Sequence, residues 1–153
     1  MATMNDLRVR QLDKALKPFR ALRDRPTSDD GWIRTIRETL GMSLRQLAER
    51  AGLSKTSAMN AESTERRGTV QLETLQKFAE AMECDLVYAL VPRDSLKSMI
   101  EQQAERVARA IVGRVSDSME LGDQAVPDEE ARRQIQETVD DLLRNRQRDF
   151  WDG

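Results

Sequence analysis

The stretch Leu44-Arg45-Gln46-Leu47-Ala48-Glu49-Arg50-Ala51-Gly52-Leu53-Ser54 constrains this chain more than any other. Two helices that cross steeply need a small residue where their backbones meet, and Ala48 supplies it. Four positions on, the turn between them needs a residue that tolerates positive φ, and Gly52 supplies that. Ser43 and Ser54 are N-cap residues placed just ahead of each helix. The spacing predicts a short helix over 44–51, with Leu44, Leu47, Ala48 and Ala51 facing inward, and a capped second helix running from 55 to about Glu62.

The flanking segments follow helical periodicity as well. Ile36 and Leu40 share a face with Trp32 or Ile33, Gly41 ends that helix, and Asp29 or Asp30 is available to cap it. Ser63 to Thr69 is polar and reads as a loop containing Arg66 and Arg67. Leu72, Leu75, Phe78, Ala79 and Met82 mark a further helix face. At the front, Leu12, Leu16 and Phe19 lie on one face, and Pro18 ends or kinks the helix there. Beyond Pro92, Ile100, Ala104, Val107, Ile111 and Val115 are helical. The pattern breaks from Ser116 to Pro127, and Asp128-Glu129-Glu130 open a last helix whose positive dipole end favours carboxylates. Its apolar face is Ile135, Val139, Leu142 and Leu143.

One segment changes period. Leu86, Val87, Tyr88, Ala89, Leu90 and Val91 form an apolar run stopped by Pro92. Its length and its β-branched and aromatic members read as a strand, with an apolar extension of the preceding helix as the alternative. No second strand candidate exists in the chain. Backbone pairing would therefore come from another copy, as a two-stranded ribbon between subunits. The expected architecture is mainly α: a helix-turn-helix bundle with one short intersubunit strand and a helical C-terminal extension. The expected divisions are 1–30 (helical arm and linker), 31–92 (helix-turn-helix domain ending in the strand) and 93–153 (dimerisation or partner-binding extension).

Residue types narrow the function. The 153 residues contain no histidine and a single cysteine, Cys84. That removes His-dependent catalytic triads, leaves no zinc-ligand set or metal site, and gives the lone thiol no base to activate it. Asp128-Glu129-Glu130 are better explained as a helix start than as an acid/base pair, no Gly-rich phosphate loop appears, and the expectation is a chain with no catalytic residues and no cofactor. No disulfide framework is possible, and a reducing cytoplasm is expected. No run approaches the roughly 18 apolar residues of a membrane span, and the start lacks a signal-peptide pattern. The net charge of −2 is unevenly spread: residues 1–67 carry +5 and residues 68–153 carry −7. A basic front suits a polyanion, although solvated helix faces would give the same count.

With Ala48, Gly52, both caps and the later Leu72-Glu73-Thr74-Leu75 helix in register, the chain resembles the Cro- and lambda-repressor-type helix-turn-helix proteins. The resemblance implies that the helix after Ser54 lies in the major groove of double-stranded DNA. Lys55, Thr56, Met59 and Asn60 then take the base-reading positions: Asn pairs with adenine, Lys donates to guanine, and Met59 meets a thymine methyl. Ser43, Arg45, Ser54 and Ser57 are placed for phosphates, with Arg66 and Arg67 neutralising further backbone charge. The plainer reading of each polar residue is a cap or a solvated side chain. Ala58 and Ala61 depart from the family's pattern, which has larger aliphatic residues there. With one cation on the recognition helix, tight binding needs a dimer.

Taken end to end, the chain also resembles the mobile mystery protein A family of bacterial mobile elements. The matching segments are Leu7-Arg8-Val9-Arg10-Gln11-Leu12-Asp13, Gly31-Trp32-Ile33-Arg34-Thr35-Ile36-Arg37, Gly68-Thr69-Val70-Gln71-Leu72-Glu73-Thr74-Leu75 and, most specifically, Cys84-Asp85-Leu86-Val87-Tyr88-Ala89-Leu90-Val91-Pro92. The region from Met119 to Val126 and the terminal Trp151-Asp152 match too. That resemblance implies an antitoxin-like, autoregulatory DNA-binding homodimer encoded beside a Fic-domain partner. The alternative it leaves is a protein-interaction module that inhibits such an enzyme and binds little DNA itself. Ser116-x-x-x-Glu120 has the spacing of a Fic-inhibitory helix, but Leu121 stands where Gly or Asn is expected, and a loop or helix end is the preferred reading.

Overall fold

The computed structural model describes residues 3–25, 28–120 and 128–152. In chain order the helices are α1 (Met4–Leu16), a 3-10 turn (Lys17–Phe19), α2 (Arg20–Arg23), α3 (Trp32–Thr39), α4 (Leu44–Ala51), α5 (Lys55–Arg67), α6 (Leu72–Ala81), α7 (Leu96–Glu120) and α8 (Asp128–Arg144). Among the described residues there is no strand. None of the helices is long and apolar enough to cross a membrane.

Two compact units form. One is residues 21–89, and the other is built from two distant stretches, residues 1–20 and 90–153. The first is a helical bundle around Ile33, Leu47, Ala48, Ala58, Ala61, Phe78, Ala81 and Met82. Phe78 and Leu47 are fully buried, and each contributes about 2 kcal/mol of hydrophobic stabilisation. Trp32 and Ile33 resolve cleanly: Ile33 is buried, while Trp32 is exposed.

The second unit packs α7 against α8 and the C-terminal turn through Ala104, Ala108, Val139 and Phe150. The two alanines remove side-chain bulk where the helices meet. Buried Gln103 donates from Nε2 to the Phe150 carbonyl at 2.8 Å, tying down the C-terminal turn. Helix α1 lies against α7. Its Asp13 carboxylate accepts the backbone N–H groups of Leu96 (2.8 Å) and Lys97 (3.2 Å), two of the orphan donors that open α7. The segment expected as a helical arm thus supplies the cap of a helix more than 80 residues away in sequence.

Leu86, Val87, Tyr88, Ala89, Leu90 and Val91 are neither strand nor helix in the single chain, so the expected strand is not seen there. Three other sequence expectations need correction. Helix α5 continues through Ser63 to Arg67 and ends at Gly68, which is left-handed, so Arg66 and Arg67 sit in its last turn and not in a loop. Helix α7 likewise runs past Ser116 to Glu120. The residues after it, 121–127, together with the side chains of Met119 and Glu120, lie outside the described residues, so the comparison with a Fic-inhibitory helix does too. Finally, neither Asp29 nor Asp30 caps α3; Gly31 is its N-cap residue and offers no side chain.

Candidate nucleic-acid interface

Helices α4 and α5 and the three-residue turn Gly52-Leu53-Ser54 between them form as the local chemistry dictates. Ser43 closes a reciprocal capping box, its Oγ accepting the Gln46 N–H at 3.1 Å while Gln46 Oε1 accepts the Ser43 N–H at 2.8 Å. Gly52 sits at φ 67°, ψ 28°, in the left-handed region, and its N–H and that of Leu53 close the end of α4 on carbonyls of the last turn. Ser54 then caps α5, accepting the Ser57 N–H at 3.1 Å. Ala48 is buried at the crossing.

The orientation of α5 rests on contacts no local signal announces. Glu62, buried on its inner face, meets Arg37 of α3, with Nε to Oε1 2.5 Å and Nη2 to Oε2 3.4 Å. Arg37 Nη1 also donates to the Met42 carbonyl at 2.8 Å. One turn further on, the Glu65 carboxylate accepts the backbone N–H groups of Trp32 and Ile33, the latter at 3.1 Å to Oε2. A side chain of α5 therefore caps α3 from across the bundle. Gly31 permits this twice over: its φ is +81°, and a Cβ there would stand 3.0 Å from the Glu65 carboxyl.

Ala58 and Ala61 belong to this packing. Both are essentially fully buried, on the face of α5 that meets the core. What they lack in buried area relative to larger aliphatics, the Glu62 and Glu65 contacts replace with directional bonds.

The opposite face of α5 carries the expected readers. Lys55, Thr56, Met59 and Asn60 are all exposed, and Met59 is 51% accessible. The Lys55, Thr56 and Asn60 side chains make no hydrogen bond to another described residue, so their polar groups face solvent at the positive end of the helix. Ser43 and Ser54 are exposed caps, and Ser57 is half-buried, its Oγ 2.9 Å from that of Ser54. Arg45 is exposed and lies 3.3 Å from Glu49, one turn along. Arg66 and Arg67 point outward in the last turn of α5, about 18 Å along the axis from Lys55 at 1.5 Å per residue, where cations also suit the negative dipole end. Lys55, Thr56, Met59 and Asn60 thus lie in the first two turns of α5, next to its cap Ser54 and Ser57, whereas Ser43 and Arg45 open α4 and the arginine pair closes α5.

Charge on this unit is balanced. Residues 33–88 carry eight Lys+Arg and eight Asp+Glu. Arg34, for instance, is answered by Glu38 at 2.9 Å and Asp30 at 3.8 Å, and the Glu38 hydrogen bond holds its guanidinium above the ordinary value. The front-loaded cations seen in sequence lie partly on α1, which belongs to the other unit. Among the described residues no cluster of carboxylates and thiols is fit to hold a metal.

A family model described as helix-turn-helix matches residues 33–88. Those residues form a Cro-type helix-turn-helix domain, of a family that binds DNA and is not catalytic. No curated protein and no solved structure matches the chain significantly.

Proposed function

We propose that this protein is a sequence-specific DNA-binding regulator that acts as a homodimer, with α5 in the major groove. The observation that carries the reading is the row Lys55, Thr56, Met59 and Asn60, exposed at the N-terminal end of the second helix of a DNA-binding motif. Lys55 and Asn60 read base edges, Thr56 and Met59 meet neighbouring bases, and Ser43, Arg45, Ser54 and Ser57 hold the backbone on either side. Arg66 and Arg67 contact phosphates flanking the far end of the helix. Balanced charge on 33–88 limits the affinity of one protomer, so two recognition helices about 34 Å apart must act together. The unpaired run Leu86 to Val91 supplies the contact between copies. By its resemblance to the mobile mystery protein A family, the regulator is antitoxin-like, represses its own operator and is paired with a Fic-domain enzyme.

The test is binding of the full chain to DNA from upstream of its own gene at two salt concentrations. Affinity should fall steeply with salt, and Lys55→Ala and Asn60→Ala should each cost about 1–3 kcal/mol with altered base preference. Equal binding by both variants would sink the assignment.

The charge balance of residues 33–88 also supports a second reading, a protein-interaction module with little DNA affinity of its own. In that case the helices of the second unit capture the Fic-domain partner, and co-purification would persist where DNA binding is absent.

A further inference from the structure

The run after α6 has properties that select both a partner and a pairing register. Its N-terminal limit is Glu83, whose φ of 55° interrupts any extended ladder. Among the described residues every non-glycine position from Cys84 onward has negative φ, compatible with a strand. Residues 85–91 make no backbone hydrogen bond to another described segment, and Val87, Tyr88 and Leu90 are 69%, 70% and 88% exposed. A row of solvated donors and acceptors beside large apolar side chains is a template for one more strand. The ends of the run differ in sign: Asp85 begins it and Arg93 follows Pro92.

We propose that this segment pairs antiparallel with the same segment of a second copy, with the two-fold axis through Ala89; the proposal rests on the homodimer reading above. In this register Asp85 lies opposite Arg93 of the second copy, at both ends of the ribbon. Val87 lies opposite Val91, Tyr88 opposite Leu90, and the small Ala89 faces itself at the axis. Directly opposed residues share a face, so the charged pairs and the apolar pairs each meet their complements.

Neighbouring registers lose this match. A shift of one in one sense sets Asp85 against Asp94, like charge on like. A shift in the other sense sets Asp85 against Pro92 and leaves the arginine beyond it facing Cys84. Pairing Arg93 with Glu83 instead would need the ladder to include the residue whose φ is positive. Pro92 agrees with the Ala89-centred arrangement. It has no N–H, so it must occupy a pair that exchanges no hydrogen bonds, opposite Leu86. Alternation then makes Tyr88–Leu90 another such pair, where opposed side chains come closest. The same alternation makes Ala89–Ala89 a hydrogen-bonded pair with Cα atoms about 5.5 Å apart.

That separation permits a disulfide, which gives the experiment. In a Cys84→Ser background of the full chain, Ala89→Cys and Val87→Cys are oxidised mildly at micromolar concentration. Ala89→Cys should form a covalent dimer, while Val87→Cys, roughly four residues out of register with itself, should not. Sedimentation of unoxidised protein gives the second readout: Asp85→Arg should weaken the dimer about tenfold, and adding Arg93→Asp should restore it. A wild-type dimer that links through Val87→Cys, or that the double charge exchange fails to restore, overturns the register and leaves the dimer standing. A wild-type chain that sediments as a monomer at these concentrations and on operator DNA overturns both.

Discussion

Replacing Glu62 by Ala should destabilise the helix-turn-helix unit more than any other single change to its polar side chains. Glu62 and Arg37 have side chains only 10% and 11% exposed, so the pair is largely out of water. Removing one member of a buried pair strands the other, and such losses run to about 3–5 kcal/mol. The lower end applies here. Arg37 keeps the Met42 carbonyl at 2.8 Å, and Glu38 stands 3.7 Å away, ready to take part of the charge. The expected loss is about 3 kcal/mol. It should appear as a lower urea midpoint at unchanged slope, because the surface exposed on unfolding is the same. The chain has two tryptophans, Trp32 in this unit and Trp151 in the other, so a Trp151→Phe background makes fluorescence report α3 alone. Arg37→Met with Glu62→Leu removes both charges and should return stability to within about 1 kcal/mol of the parent. A loss below about 1 kcal/mol for Glu62→Ala would place the pair in the weak, solvent-screened class and refute the reasoning. A double variant as unstable as the single one would show that packing, not the stranded cation, sets the cost. Because the pair joins α3 to α5, DNA binding should fall with the single variant and recover with the double.

Other perturbations separate local from long-range effects. Gly52→Ala meets no heavy atom within 4 Å of the new Cβ, so its cost is left-handed backbone strain alone, about 1–2 kcal/mol by thermal denaturation, and Gly52→Asn should recover part of it. Glu65→Ala strips the cap from α3 and should cost about 1 kcal/mol, with faster amide exchange at Trp32 and Ile33 as its signature. At α1, the Thr3 backbone N–H, with its hydroxyl second, holds the Asp6 carboxyl below its ordinary value of 3.8. A depressed pKa means the cap stabilises α1 above the unfolded value and is lost as pH falls through the lower folded one; NMR titration of the Thr3 amide should follow that acid transition, and an unmoved amide down to full protonation would refute the capping box.

Within the motif, the parts legible from sequence are those that a few neighbouring residues decide. Ser43 and Ser54 as caps and Gly52 at the turn act over three or four positions, so their identities sufficed to place α4 and the start of α5. Proline at 18 stopped α1 for a reason equally local. The end of α5 was misplaced because Ser63, Thr64 and Glu65 look like loop residues in isolation. In the fold Thr64 bonds back to the Asn60 carbonyl at 2.7 Å, and Glu65 is held by α3.

Tertiary structure decided where the charges go. Cut at Arg67, the chain reads +5 and −7; divided as it folds, residues 21–89 and the remainder each carry −1. A linear count cannot anticipate this, since α1 leaves its sequence neighbours and packs on α7 instead. Nor could it find Glu62, Glu65 or Asp13, three carboxylates indistinguishable in sequence from solvated ones. Their donors, Arg37 and the open N–H groups of α3 and α7, lie 25 to 84 residues away. Capping by a neighbour costs little chain entropy and leaves a pattern; capping across a fold exists only once the hydrophobic faces have brought the helices together.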